Sequence, residues 1–273
     1  MEWYINQDAL RRMLDSPDLD VADFAFIADK KEEIPAKQRV QAEQIVNTQL
    51  FQHWIVSPSS SKLLVQWDFR PPKTIAGVSP LTVFCTIMAQ ALRANERFVS
   101  ALWFCGRHID STEAGTYIGA RAMLISLIDQ LLRQYTFDTR SLHRDVDFAG
   151  LQGGRLGELA KLLGWLVRRL PETITFFCII DGIVLFEREE FEADALDVFS
   201  ALLRLAGDRS ISATVKVLFT STPGTDVIRA VFEKEELILD VDGLPRLGWA
   251  PNEERMAREL AGGLSESTLE LEP

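Results

Sequence analysis

The hydrophobic pattern changes character near residue 60. Residues 1–55 are rich in polar side chains, and after Pro35, which suits a first helical turn, Val40, Ile45 with Val46, Leu50 and Trp54 fall near helical spacing. This predicts a helical N-terminal segment, packed on the core or leading into it, that ends at the turn SPSSS (57–61). From Lys62 onward, short apolar runs alternate with longer amphipathic stretches. The runs are KLLVQW (62–67), FVSALWFC (98–105), TITFFCII (173–180), TVKVLFTS (214–221) and ELILDV (236–241). They are rich in β-branched and aromatic residues, and most are apolar at consecutive positions. Parallel strands covered by helices on both faces need that pattern.

The intervening stretches have helical periods. SPLTVFCTIMAQALRAN opens with Ser79 as N-cap and Pro80 at the first helical position. YIGARAMLISLIDQLLRQY puts Ile118, Ala122, Ile125, Ile128 and Leu132 on one stripe. RLGELAKLLGWLVRRLP repeats leucine from Leu156 to Leu170 before Pro171 stops it, and EEFEADALDVFSALLRLAGD ends at Gly207. Strands alternating with helices imply βαβ units and a doubly wound α/β sheet over residues 56–250. The remainder, 251–273, is polar and acidic and reads as a partly disordered tail.

Composition narrows the function classes. Lys and Arg total 29 against 40 Asp and Glu, a net charge of -11, which repels nucleic-acid backbones and anionic lipid. The three cysteines, Cys85, Cys105 and Cys178, sit among apolar residues at wide spacings, as buried free thiols of a reducing compartment do. The N-terminus lacks the apolar core of a signal peptide, and no stretch approaches the roughly 20 apolar residues of a membrane span. The expectation is a cytoplasmic, soluble protein that contacts neither nucleic acid nor membrane.

In open α/β sheets, ligands sit beyond the carboxyl ends of the strands, so the residues after each run are the candidates. After the first run comes DFRPPKTI, with Lys73-Thr74 echoing the end of the phosphate-loop pattern G-x-x-x-x-G-K-[ST]. Counted back from Lys73, the glycine positions hold Trp67 and Pro72, and Pro72 has no N–H to offer a phosphate. After the third run stands Asp181-Gly182, where a terminal carboxylate would hold Mg2+ or simply cap a loop. After the fourth come Thr220 and Ser221, in the place of a phosphate-sensing pair or of a plain turn. Cys105-x-x-His108 has ligand-like spacing but lacks a second pair, which favours a strand end over a zinc site.

Together, SKLLVQW, TFFCIIDG and KVLFTSTP, in that order, resemble the NTPase core of STAND proteins. The likeness is to the NACHT-like domains of nephrocystin type found in many fungal multidomain proteins, and it covers roughly residues 50–245. The resemblance implies a P-loop NTPase-like sheet of about five mainly parallel strands, ATP or GTP with Mg2+ in the cleft, and nucleotide-controlled assembly in signalling. Carried over, Lys73, Thr74, Thr220 and Ser221 take the nucleotide and Asp181 the metal. Where the family continues Asp-Gly-x-Asp-Glu, this chain has Val184 and Leu185, and Thr222 stands where an Arg is common. Neither Val184 nor Leu185 accepts a proton, so no catalytic residue is expected. The expectation is a non-catalytic scaffold or protein-interaction module, without cofactor, whose partners are proteins, a second copy of the chain included. The alternatives are an atypical Mg2+-nucleotide-binding protein using Lys73, Thr74 and Asp181, and a binder of another small molecule beside Trp67, Phe69 and Trp103.

Overall fold

In the computed structural model, which describes residues 5–233 and 235–269, the five apolar runs form one sheet. The strands are Ser61–Gln66 (β1), Phe98–Phe104 (β2), Thr175–Asp181 (β3), Thr214–Ser221 (β4) and Ile238–Asp240 (β5). All pair in parallel, in the order β2-β3-β4-β1-β5. Successive side chains of a strand point to opposite faces, and here both faces are dry. Phe176, Cys178 and Ile180 of β3 enter one core, while Phe177 and Ile179 enter the other. In β4, Val215, Val217 and Phe219 join the first core and Leu218 the second. Consecutive apolar residues therefore each find a core, which is why the runs do not alternate with polar positions.

The helices in chain order are Gln7–Leu14 (α1), Leu19–Lys30 (α2), Ala36–Glu43 (α3), Gln49–Val56 (α4), Pro80–Arg93 (α5), Ser111–Ala114 (α6), Gly119–Gln134 (α7), Phe148–Gln152 (α8), Leu156–Val167 (α9), Glu192–Gly207 (α10), Ala230–Glu233 (α11) and Glu253–Leu269 (α12). Helices α1, α7, α9 and α10 supply the first core, and α3, α4, α5 and α12 the second. The chain leaves β1 for α5 on one face, whereas α7, α10 and Phe232 of α11 follow the other strands on the opposite face. The connections after β1 and β4 thus diverge, and a sheet of this kind has its ligand crevice beyond that point.

The N-terminal segment packs against both faces. Leu10 and Leu14 of α1 enter the first core, and Phe51 of α4 meets Phe84 of α5 edge-on at 5.7 Å. Charges fix α1 and α2 in place. The fully buried carboxylate of Asp20 accepts from Arg93 Nη1 at 2.8 Å and from Arg133. Asp129 accepts from Arg11 at 2.7 Å and from Arg133 at 2.8 Å. Buried charges matched in this way hold elements together, and removing one partner typically costs about 3–5 kcal/mol.

The C-terminus departs from expectation. Residues 253–269, within the expected partly disordered tail, form a helix, and Met256, Leu260 and Leu264 bury themselves in the second core. Their spacing of four residues makes a narrow stripe that the surrounding polar residues and Gly262-Gly263 obscure. The last residues of the expected tail, 270–273, lie outside the described residues. Among the described residues no helix is long and apolar enough to cross a membrane.

Candidate functional site

The connection from β1 to α5 is held by its own short-range bonds. Trp67 is buried, and its N–H donates to the Ser221 carbonyl at 3.0 Å, extending the β1–β4 ladder. Asp242 Oδ2 accepts from the N–H groups of Phe69 (2.6 Å) and Arg70 (3.3 Å). The Lys73 N–H donates to Gln38 Oε1 at 3.0 Å, while the side chains of Lys73 and Thr74 are exposed. Ile75 and Val78 then exchange two backbone bonds, 2.9 and 2.8 Å, around Ala76 (φ 48°) and Gly77 (φ 76°). Positive φ at both central residues is the mark of a type I′ turn.

Gly77 is required twice over at this turn. Beyond its positive φ, a Cβ there would lie 2.1 Å from the Gly106 carbonyl oxygen, and a Cβ on Gly106 would lie 2.4 Å from the Gly77 oxygen. The turn before α5 and the turn after β2 therefore meet backbone to backbone, just ahead of the helix. Ser79 follows as N-cap in a capping box: its Oγ accepts from the Thr82 N–H at 3.2 Å, and its own N–H donates to Thr82 Oγ1 at 3.0 Å. Pro80 at the first helical position contributes no N–H.

Asp181 closes β3 directly beneath this helix start. Thr82 Oγ1 donates to Asp181 Oδ2 at 2.7 Å, and Thr220 Oγ1 donates to Oδ1 at 2.6 Å. The Gly182 N–H donates to the Thr220 carbonyl at 3.1 Å, locking the ends of β3 and β4 together. The carboxyl is 2 % exposed. Burial pushes its pKa up to about 6, against the two threonine hydroxyls that pull it down. Burial first, and the Asp181 charge second, push the Cys85 and Cys105 thiols well above their usual range, so neither supplies a ready thiolate.

The structure thus brings Asp181 and Thr220 together and leaves the other candidates apart. Ser221 Oγ donates to the Pro223 carbonyl at 2.6 Å, within its own turn. No hydrogen bond or ion pair joins Lys73 or Thr74 to Asp181 among the described residues. Five residues separate Lys73 from Ser79, so the lysine is too early to stand at the mouth of α5. The register that does reach the helix runs from Pro72 to Ser79, in which Gly77 and Ser79 match G-x-x-x-x-G-K-[ST] and buried Val78 takes the lysine position. Counting from Lys73 misses this register; Gly77-x-Ser79 immediately before a helix is the signal that finds it.

A Mg2+-nucleotide does not fit these groups. Both oxygens of Asp181 already accept hydroxyl protons, Ser79 Oγ is engaged in the cap, and the lysine position holds an apolar side chain. No group of three or more His, Cys, Asp or Glu side chains that could hold a metal ion exists among the described residues. His108 does not pair with Cys105. Its ring stacks on Trp103 at 4.0 Å, with Nε2 2.8 Å from Asp23 Oδ2 and Nδ1 2.8 Å from the Tyr117 carbonyl. Nε2 thereby ties α2, and Nδ1 the loop before α7, to the end of β2, so neither ring nitrogen faces a metal. Glu187, raised above its usual range by burial, accepts from Thr225 Oγ1.

Fold and site together define a parallel α/β protein whose sheet carries, at its carboxyl edge, a buried carboxylate under a capped helix. Comparison with known proteins finds no matching family model, no matching curated protein and no matching solved structure.

Proposed function

We propose that this chain is a non-catalytic, NTPase-like module that works through protein contacts, as a scaffold or adaptor in intracellular signalling. The observation that carries the reading is the closed N-terminus of α5. A helix start binds phosphate through free N–H groups and its positive dipole end. Here Pro80 removes one donor, Ser79 takes another, and the Asp181 carboxylate occupies the electrostatically favoured ground through Thr82. Val78 in the lysine position and Val184 and Leu185 after Asp181-Gly182 support the same conclusion, since none of them binds phosphate or activates water.

The nucleotide-binding alternative has one observation in its favour: Asp181 lies within hydrogen-bond reach of a hydroxyl in the first turn of α5, that of Thr82. Calorimetric titration with ATP, ADP and GTP, with and without Mg2+, separates the two. The module reading expects no heat of binding at millimolar nucleotide. Micromolar binding that disappears in a Lys73→Ala, Asp181→Ala double variant would overturn it.

A further inference from the structure

The outward face of α10 is electrically lopsided. Asp194 and Asp197 lie in its first half and Arg204 in its last turn, all exposed. None of the three makes a hydrogen bond or ion pair among the described residues. Asp197 and Arg204 stand two helical turns apart and therefore on one stripe, with Ser200 and Ala201 midway between them. A helix with this arrangement is complementary to an antiparallel copy of itself. A two-fold axis through the Ser200–Ala201 step sets Asp197 against the partner's Arg204, and the reverse pair follows by symmetry. The small side chains at the axis let two helices approach to the near end of the roughly 8–10 Å packing range.

The surface beside α10 fits the same occupant. A groove of about 930 Å³ runs between α9 and α10, with Gly157, Ala160, Gly164 and Ala201 along it and Lys161 and Arg168 at its rim. The groove also holds Arg169 and Arg204 beside the acids Asp145 and Asp208, and Lys161 and Arg168 are already paired with Glu158 and Asp208. Four cations against two acids leave it modestly positive in a chain of net charge -11. Nothing in the chain requires the α9 glycines: a Cβ at Gly157 would meet open space, and one at Gly164 would touch only the Arg168 head. Glycine within a helix costs about 1 kcal/mol relative to alanine. In the antiparallel arrangement the partner's Asp194 falls opposite Gly207, at the end of the groove where Arg168 pairs with Asp208.

We propose that the chain forms a two-fold symmetric homodimer through antiparallel α10 helices, with the acidic half of each α10 lying along the basic α9–α10 groove of the other copy. The proposal is independent of the carboxyl-edge reading, because it concerns a different surface and its test involves no nucleotide.

Sedimentation equilibrium of the full chain tests it. Wild type should approach twice the monomer mass as concentration rises. Asp197→Arg alone and Arg204→Asp alone should each weaken association roughly tenfold or more, since two attractions become two repulsions. An equimolar mixture of the two variants should recover the dimer, because every cross pair is again a carboxylate facing a guanidinium. Thermal melts of each variant establish that these exposed substitutions leave the fold intact. A wild type that stays monomeric, a dimer indifferent to either reversal, or a mixture that fails to recover would overturn the proposal.

Discussion

Thr82 Oγ1 donates to Asp181 Oδ2 at 2.7 Å, so the third residue of α5 and the last residue of β3 share a proton across the carboxyl edge of the sheet. Burial raises the pKa of this carboxyl to about 6, although that bond and its counterpart from Thr220 pull it down. A raised folded-state pKa means that the folded chain holds the proton more tightly than the unfolded chain does. The stability this group contributes is therefore fully present below its ordinary pKa of 3.8 and is lost as pH rises through about 6. The swing amounts to about 3 kcal/mol. Asp181→Asn does not titrate, so the stability of the variant relative to wild type should improve by that amount between pH 4 and pH 7. Urea unfolding across this range checks it, and parallel curves for the two proteins would sink the assignment.

The contact between Gly77 and Gly106 makes a second prediction. Gly77→Ala combines a left-handed backbone position with a Cβ 2.1 Å from a carbonyl oxygen that cannot rotate away. The expected loss is roughly 2–5 kcal/mol. Gly157→Ala, in the first turn of α9 where a Cβ would meet open space, should instead add up to about 1 kcal/mol. Opposite signs in thermal melts are the expected outcome, and a neutral Gly77→Ala would show that the two turns do not bear on one another.

How much of this was legible beforehand depends on how local each cause is. The strands were, because residues such as Phe176 and Phe177 must both be apolar in a sheet covered on two sides, and a run of that kind has few other uses. The start of α5 was legible for the same reason, since Ser79-Pro80 is a self-contained cap. Asp181 and Thr220 were legible as strand ends, but their meeting was not, since it depends on β3 and β4 being neighbours. Thr82 was hidden inside a helix, with nothing in its neighbourhood to announce a partner 99 residues away. Lys73 misled because Lys-Thr after a strand resembles a phosphate loop, whereas six further residues separate it from the helix that would need it. In α12, the spacing of Met256, Leu260 and Leu264 was present but only one residue wide.

Gln130 makes a third case, at the edge of the sheet. Its Oε1 accepts from the Leu102 N–H at 2.9 Å and its Nε2 donates to the Leu102 carbonyl at 2.8 Å, so a side-chain amide completes the open edge of β2. Gln134, one turn on, does the same for Ser100 at 3.0 and 2.8 Å. Edge strands that expose unpaired backbone invite pairing with other chains. Gln130→Leu should cost about 3–5 kcal/mol, because it strands two buried backbone groups and removes an acceptor from Arg93. Urea midpoints measure the loss, and light scattering should show the variant aggregating sooner on heating. A variant within about 1 kcal/mol of wild type would mean that the edge needs no such seal.

Lys216 lies inside β4 with 1 % of its surface exposed and, among the described residues, no carboxylate partner. Its Nζ donates to the Ser59 carbonyl at 2.8 Å and to Ser61 Oγ at 3.0 Å, fastening the 57–61 turn to the start of β4. Thr214 Oγ1, bonded to the Pro58 carbonyl at 2.9 Å, and the Val215 N–H, bonded to Ser60 Oγ at 2.9 Å, complete the fastening. Two neutral acceptors do not offset the loss of hydration, and burial lowers the ammonium pKa to about 7. A depressed folded-state value places the stability contributed by this group above its ordinary pKa of 10.5, and that stability is lost as pH falls through about 7. The full swing is on the order of 5 kcal/mol. Lys216→Met keeps the length of the side chain and abolishes the titration. At pH 6 the variant should therefore be the more stable protein despite its two missing hydrogen bonds, and its advantage should shrink steadily toward pH 10. Chemical denaturation of both proteins over that range reads the effect directly. If the advantage were instead constant with pH, the Lys216 amine would have to be fully hydrated, and the turn at 57–61 would have to lie open to water.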